Sequence, residues 1–226
     1  RGLTLPRTNN ARERFLTPQE ARALLDELKR RSHRTWLMAL VSMHCGLRFG
    51  EIARLRRADV RFESNTLYIA ESKSGRSRYA VMTDEVVMTL CDLPKGPMSA
   101  LLFPARDGGV MRAASESFNR AVDKLGLNNS GEVIRKADGR ETHLKIQDRR
   151  QRVVFHTLRH TYASWLPCGG QAQLTIADRL GHHSLKMTKR YTHLMDATRN
   201  ITAKTISATF HQNVPESPES LPSECD

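Results

Sequence analysis

The chain has 226 residues, enough for one domain or two small ones around a buried core. Thirty-six Lys and Arg against 24 Asp and Glu give a net charge of +12, and the last sixteen residues hold four of the acids and no Lys or Arg. This excess favours a polyanionic partner, because each phosphate that a cation neutralises releases condensed counterions. Charge alone leaves open a solvated basic surface without such a partner.

The sequence lacks the patterns of a membrane or secreted protein. No run of about 18 apolar residues predicts a membrane span, and residues 1–15 have no apolar core of the kind that a signal peptide needs. The four cysteines are scattered without CxxC spacing, which is typical of reduced thiols and not of a disulfide framework or a zinc site. We therefore expect a cytoplasmic protein. The polar, basic start of the chain is typical of a linker between domains.

The first predicted elements are helices. Thr17 to Glu20 form a capping box with Pro at the first helical position, so a helix should begin there and run to about residue 31. Residues 35–45 are apolar nearly all round and predict a buried helix that Gly46 ends. A short helix over 49–55 should follow.

The rest of the chain predicts a small sheet and further helices. Turn residues separate three extended runs, which predict an antiparallel sheet: 60–62, 66–70 and 78–82. Further helices are expected at 84–93, 113–125, 156–166, about 172–180 and 185–195, with a weaker one near 197–210. Residues 128–152 carry seven Lys and Arg and predict a loop or an exposed hairpin; between an added DNA-contacting element and a solvated segment, we favour the solvated one. Residues 211–226 should form a disordered acidic tail. The predicted fold class is mainly α with a small antiparallel β-sheet (α+β).

The segment from His156 to His160 has the densest set of chemically active side chains. On a helix, His156, Arg159 and His160 lie at i, i+3 and i+4 on one face. The opposite face is apolar and can anchor the helix: Leu158, Tyr162, Trp165 and Leu166. Each of the three polar residues alone is commonly a solvated surface residue. The two histidines also have metal-ligand spacing, but Arg159 between them repels a metal and attracts a phosphate, and the Glu of HExxH is missing.

Three other segments complete a pattern. Arg48 follows a Gly turn at the end of the buried helix, Lys73 lies in a Lys-Ser-Gly turn that should tip a hairpin, and Tyr191 comes nine residues after the His182 of Leu-Gly-His-His-Ser. With the HxxRH segment, these motifs resemble those of the tyrosine recombinase (phage integrase) family, in its order and spacing, from about Leu16 to Arg199. Each short motif alone is weak, and Tyr191 alone is more often a packing residue, but the set in register is specific.

The resemblance implies an enzyme that breaks and rejoins DNA without metal, cofactor or ATP. Tyr191 would attack a phosphodiester and form a 3′-phosphotyrosine link, which stores the bond energy. Arg48 and Arg159 would clamp the phosphate and stabilise the charge of the transition state. His182 would donate a further hydrogen bond to the phosphate, and His156 would assist proton transfer at the nucleophile.

The remaining site residues are supporting groups and a general acid. Lys73 would protonate the leaving 5′-hydroxyl, although Lys95, Arg76 or Arg78 can be mistaken for it. Glu51, three residues after the first Arg, and His160 would orient other site residues, not act as acid catalysts themselves; His183 is read as incidental.

The resemblance also implies a domain plan and partners. Residues 1–15 would be the linker from an N-terminal core-binding domain, 16–210 the catalytic domain and 211–226 the tail. The partners would be double-stranded DNA and three further subunits in a homotetramer on DNA. Residues 197–210 would be the candidate segment for docking on a neighbour, and the alternatives are that they fold back, swap or stay undocked in an isolated domain. Two alternatives remain, a type IB topoisomerase-like enzyme that relaxes DNA and a non-catalytic DNA-binding module. The Leu-Gly-His box favours a recombinase, and the full set of six catalytic-type residues argues against a binding module.

Overall fold

The computed structural model describes residues 14–70, 77–136, 140–168, 172–181 and 188. This part of the chain is organised around seven helices: α1 (Pro18–Arg31), α2 (His33–Cys45), α3 (Phe49–Ile52), α4 (Asp84–Cys91), α5 (Glu116–Lys124), α6 (Phe155–Cys168) and α7 (Gln173–Leu180). The strands lie in two antiparallel sheets: β1 (Val60–Arg61), β2 (Thr66–Ile69) and β3 (Arg78–Val81), then β4 (Asn129–Arg135) and β5 (Glu141–Lys145). The predicted fold class is confirmed.

Helix α1 begins at the predicted capping box. The Thr17 hydroxyl accepts a hydrogen bond from the Glu20 backbone N–H, and the Glu20 carboxylate accepts one from the Thr17 N–H at 2.9 Å. Together they satisfy two donors that a helix start leaves unpaired. The apolar face of α1, with Leu24 and Leu28, is fully buried and packs on α2.

Helix α2 crosses the centre of the domain and ends where predicted. Gly46 caps it in the left-handed conformation, with φ of 69°. A Cβ atom at Gly46 would lie 2.5 Å from two ring carbons of Tyr162 in α6. Because a glycine stands here, α6 can pack closely against the end of α2, and this contact places the two helices that carry the site.

The predicted sheet of three strands is confirmed, in the order β1-β2-β3. Its inner face packs on the main core through buried apolar side chains: Leu67, Ile69, Ala80 and Met82. Cross-strand partners share a face of an antiparallel sheet. Arg78 pairs with Ile69, so the first residue of β3 also points its side chain toward the interior.

Residues 128–152 contain an exposed hairpin, one of the two forms that the sequence predicted. Strands β4 and β5 pair with each other, and nearly all of their residues are exposed. Asn128 ties the base of this hairpin to Val153 through two hydrogen bonds, at 2.7 and 3.1 Å. Paired backbone groups allow this polar, charged segment to be regular without a core of its own.

Helix α6 divides its apolar face between two packed regions. Leu158 is fully buried in the main core, whereas Tyr162 and Leu166 pack against Ile176 and Leu180 of α7. The apolar face predicted for this helix is therefore confirmed. The helices expected at 185–195 and 197–210 and the tail at 211–226 lie outside the described residues. No helix in the described ranges is both long and apolar enough to cross a membrane.

Replacing Gly46 by alanine should destabilise the fold through both backbone strain and a clash. Gly108 is a matched control, because its φ is also positive, at 80°, but a Cβ there meets nothing within 4 Å. Gly108→Ala should lower the free energy of unfolding by about 1–2 kcal/mol from strain alone. Gly46→Ala should cost about 1–3 kcal/mol more, because the added methyl overpacks the Tyr162 contact. Urea unfolding measures both, and equal losses would contradict the packing argument.

Candidate active site

Glu51 is the centre of a buried ionic cluster. Its carboxylate accepts hydrogen bonds from the Arg48 backbone N–H at 2.9 Å and the Arg48 guanidinium at 2.9 Å. Arg78 donates two parallel hydrogen bonds to the same carboxylate, at 3.0 and 2.8 Å. An Arg159 nitrogen lies 3.9 Å from one of its oxygens. We call Glu51, Arg48, Arg78 and Arg159 the Glu51 cluster.

The turn after α2 places Arg48. Once Gly46 has ended the helix, Leu47 is fully buried and its carbonyl accepts a hydrogen bond from the Ser42 hydroxyl at 2.9 Å. Arg48 then begins α3 as its N-cap residue. Its side chain keeps 25% of its surface exposed, the largest fraction in the Glu51 cluster. Arg48 is therefore the arginine of the cluster that is most accessible from solvent.

Arg159 connects two helix ends from the interior. Its guanidinium donates one hydrogen bond to the Gly46 carbonyl, at 2.6 Å, and another to the Leu180 carbonyl. These carbonyls lie at the ends of α2 and α7, where a helix leaves its last acceptors without internal partners. Arg159 thereby holds the segment before Arg48 and the segment before His182 at a common point.

The two histidines of α6 differ in exposure. Their rings meet edge to face with centroids 4.8 Å apart, as expected for residues one turn apart. His160 is buried and His156 is exposed. The polar face predicted for this helix is therefore mostly interior, because Arg159 and His160 are both buried, and His156 is its exposed member.

The environment of Glu51 keeps its carboxyl ionised. Burial alone would raise its pKa, but the hydrogen bonds and charge of Arg78, the Arg48 backbone N–H and the charge of Arg159 outweigh burial and lower the pKa to about 2. A carboxylate can accept several strong hydrogen bonds only in its ionised form. Glu51 thus acts as a fixed anion that orients arginines, the arrangement that the sequence pattern predicted for Arg48.

The place of Arg78 in this cluster was not predicted from the sequence. Arg78 was named there only as a cation that could be mistaken for Lys73. A signal was present in the alternation of β3, where Arg78, Ala80 and Met82 occupy one face. Two of these are buried apolar residues, so an arginine in the same register predicts a buried cation that needs a carboxylate partner.

Three predicted site residues lie outside the described residues: Lys73, His182 and Tyr191. Their neighbours in the chain are described. Gly181, which precedes His182, ends α7 with φ of 61° and lies against the Arg78 side chain. In the described ranges, no three His, Cys, Asp or Glu side chains are grouped so that they could hold a metal ion.

Residues 14–198 match the model of the phage integrase family. The chain belongs to this family. It is 26% identical over 201 residues to a tyrosine recombinase of Pseudothermotoga lettingae, covering 86% of this chain and 61% of that protein. The chain therefore spans less than two thirds of the length of this relative.

Solved structures of low sequence identity share the fold of this phage integrase family member. The catalytic domain of bacteriophage HP1 integrase superimposes with a TM-score of 0.60 at 23% identity, over 84% of this chain and 93% of that domain. The XerH site-specific recombinase, bound to its difH substrate, superimposes with a TM-score of 0.61 at 20% identity, over 87% of this chain and 55% of that protein.

Acid should weaken the fold partly through Glu51. Its folded-state pKa, about 2, is below the ordinary 4.5, so its stabilising effect is full above pH 4.5 and disappears as the pH falls toward 2. That shift corresponds to about 3 kcal/mol. Glu51→Gln should be less stable than the wild type at pH 7, and the difference should narrow between about pH 5 and 2.

Urea unfolding at a series of pH values measures this difference, with the exposed Glu63→Gln as a control that should follow the wild type throughout. A difference between Glu51→Gln and wild type that stays constant over this range would contradict the account of Glu51 as a buried anion.

Proposed function

We propose that this chain is the catalytic domain of a site-specific DNA recombinase that cleaves and rejoins strands through a 3′-phosphotyrosine intermediate on Tyr191. The observation that carries the proposal is the Glu51 cluster, in which one carboxylate faces three guanidinium groups. Within the Glu51 cluster the three guanidinium charges exceed the one carboxylate charge, and Arg48 lies partly at the surface. A DNA phosphate complements this charge, because a planar guanidinium binds phosphate oxygens through paired hydrogen bonds.

The proposed cleavage step is an in-line displacement at phosphorus. A bond forms between the Tyr191 oxygen and phosphorus while the bond from phosphorus to the 5′-oxygen breaks. Arg48 and Arg159 stabilise the negative charge that builds up on the non-bridging oxygens, and His182 adds a hydrogen bond. His156, on the exposed side of α6, assists removal of the phenol proton.

Rejoining reverses the same step. Lys73 gives a proton to the leaving 5′-oxygen during cleavage and recovers one when a 5′-hydroxyl attacks the phosphotyrosine. The number of phosphoester bonds is the same before and after, so the reaction needs no ATP. Groups of this chain carry each proton and charge in this scheme, and it calls for no metal.

The proposed substrate is double-stranded DNA, and the proposed assembly in the whole protein is a tetramer on DNA in the cytoplasm. The net charge of +12 and the DNA-bound state of XerH support the choice of DNA. Residues 16–210 form the catalytic domain in this proposal, with 1–15 as the linker from a core-binding domain, 197–210 as the segment that docks on a neighbour and 211–226 as the tail. The 93% coverage of the HP1 catalytic domain supports this extent.

Tyr191→Phe should abolish covalent capture of DNA, because the ring remains but the nucleophilic oxygen is lost. The wild-type chain is incubated with a library of nicked duplexes of random sequence. After cleavage, the short fragment that ends at the nick diffuses away. Rejoining is then prevented, and the covalent adduct accumulates. Adducts that resist denaturing electrophoresis are counted, and the captured DNA is sequenced.

Tyr79→Phe is the matched control, since Tyr79 is an exposed tyrosine of β3 with no proposed role, and its variant should form adducts like the wild type. Adduct formation by Tyr191→Phe would refute the assignment of the nucleophile. Absence of any adduct from the wild type would refute the proposed reaction.

Lys73→Ala should slow cleavage by roughly 100-fold to 10,000-fold on a duplex captured by the wild type, the usual range for loss of a general acid. Replacing the leaving 5′-oxygen by sulfur should restore the rate, because a thiolate, with a parent thiol pKa of about 8.5, leaves without a proton.

Lys95→Ala and Arg76→Ala test two of the three other cations that can be mistaken for Lys73, and both variants should cleave like the wild type. If Lys95→Ala or Arg76→Ala slows cleavage and the 5′-sulfur substrate restores the rate of that variant, the general acid is that residue and not Lys73.

A further inference from the structure

We propose that Arg78 is a positioning residue for strand cleavage, which holds Glu51, and through it Arg48, in fixed register with β3 and the end of α7. This inference rests on the proposed function. Arg78 is not one of the catalytic residues of that proposed function, and it need not touch DNA, since its side chain is only 10% exposed.

The hydrogen-bond geometry shows how Arg78 fixes Glu51. Two parallel hydrogen bonds, at 3.0 and 2.8 Å, join the Arg78 guanidinium to both carboxylate oxygens. The same oxygens accept from Arg48, one from its side chain and the other from its backbone. A single contact would let the carboxylate rotate, whereas the paired contact sets its plane. The orientation of Arg48 therefore depends on Arg78 through one rigid link.

Stability gives little reason for burying the pair of Glu51 and Arg78, although Arg78 stabilises the ionised carboxylate once Glu51 is buried. A buried ion pair often contributes no more than apolar residues of similar size, because both charges lose their hydration. The same face carries Ala80 of β3 and Met82, the residue after β3, and both are buried without such a cost. The Nε atom of Arg78 is also buried and has no hydrogen-bond partner within the described ranges, which adds a further penalty. A role in geometry explains a residue that stability does not require.

Arg78 also touches the other parts of the site. Its Cδ atom lies 3.0 Å from where a Cβ atom of Gly181 would be, so the residue before His182 rests on its side chain. The preceding carbonyl, of Leu180, accepts a hydrogen bond from Arg159. Arg78 opens β3, five residues after Lys73. The Arg78 side chain thus contacts Glu51, which holds Arg48, and the residue that precedes His182, and Arg78 itself begins the strand that follows Lys73 in the chain.

Charge gives a second reason for Arg78. If it is removed, Glu51 keeps its full negative charge for Arg48 and Arg159 alone, which lowers the positive potential available to a phosphate. Lysine at this position retains the charge but cannot form the planar pair of hydrogen bonds. Methionine fills a similar volume and has neither property. The two variants therefore separate the effect of charge from that of geometry.

The test measures single-turnover adduct formation by the 226-residue chain on a nicked duplex that the wild type captures. Arg78→Lys should slow this step by about 10-fold to 100-fold, the usual effect of losing a residue that orients a site group. Arg78→Met should slow it further. The DNA concentration for half-saturation should stay at the wild-type value for Arg78→Lys, because the loss lies in the cleavage step and not in DNA binding.

Arg31→Lys is the matched control. Arg31 donates to Glu27, another buried carboxylate, at 2.6 Å, but on α1 and away from the Glu51 cluster. The Arg31→Lys variant should cleave DNA at the wild-type rate, although it too replaces an arginine that binds a buried carboxylate. Equal slowing in both variants, or slowing that vanishes when the rate is corrected for the folded fraction measured by circular dichroism, would mean that Arg78 is only structural.

A double variant keeps the test decisive if Arg78→Met does not fold. Because Arg78 is proposed to act through Glu51, Arg78→Lys should slow cleavage much less in a Glu51→Gln background than in the wild type. Equal slowing in both backgrounds overturns the inference, as does a wild-type rate for Arg78→Lys. In both cases the wild type still forms adducts, so the proposed function survives. A wild type that forms none refutes the proposed function and this inference with it.

Discussion

The site depends on keeping one carboxylate ionised inside the protein. Glu51 is almost fully buried, and its pKa of about 2 shows that the surrounding guanidinium and N–H donors outweigh the cost of burial. Arg48 and Arg78 reach it from different elements, a helix start and a strand. Because each contact is charged and directional, small displacements of either element carry a large energetic cost. The carboxylate therefore fixes the relative placement of the sheet and the turn after α2.

A second constraint acts through backbone carbonyls. Arg159 uses its donors on the last acceptors of two helices, so a residue with a proposed role in catalysis also joins α2 to α7. The close approach of Tyr162 to Gly46 brings α6 near the end of α2, so that Arg159 can reach the Gly46 carbonyl. Stability and site geometry are consequently linked at Arg159, and a variant there changes both. Arg78 allows a cleaner separation, since a lysine there keeps the charge and much of the side-chain volume.

Local signals in the sequence predicted most of the described elements. The capping box at Thr17, the glycine at residue 46 and the turn residues between the strands each have a physical effect over a few neighbours, so they can be recognised without the fold. The sequence could not decide between a loop and a hairpin at 128–152, because the strands are exposed on both faces and show no alternation of apolar residues. The pairing of β4 with β5 is seen only in the backbone hydrogen bonds of the structure.

Three members of the Glu51 cluster could be named from the sequence, but the connections between them could not. Arg48, Glu51 and Arg159 were recognised from motifs, yet no spacing rule shows that Arg159 would be buried or that it would bind the carbonyl of Leu180. Arg78 required the register of β3 against β2, which places it on the inner face beside Ile69. Contacts between segments far apart in sequence depend on tertiary packing, and that is where sequence patterns lose their information.

The balance of charge in the Glu51 cluster connects the fold to the proposed chemistry. One carboxylate beside three guanidinium groups is enough to hold them in place but not enough to neutralise them. A second carboxylate would stabilise the arginines further and would also compete with a phosphate for the same donors. A cluster without Glu51 would leave the arginines to repel one another. The observed ratio keeps the cations ordered and still attractive to an anion, which is the condition that phosphate chemistry places on such a site.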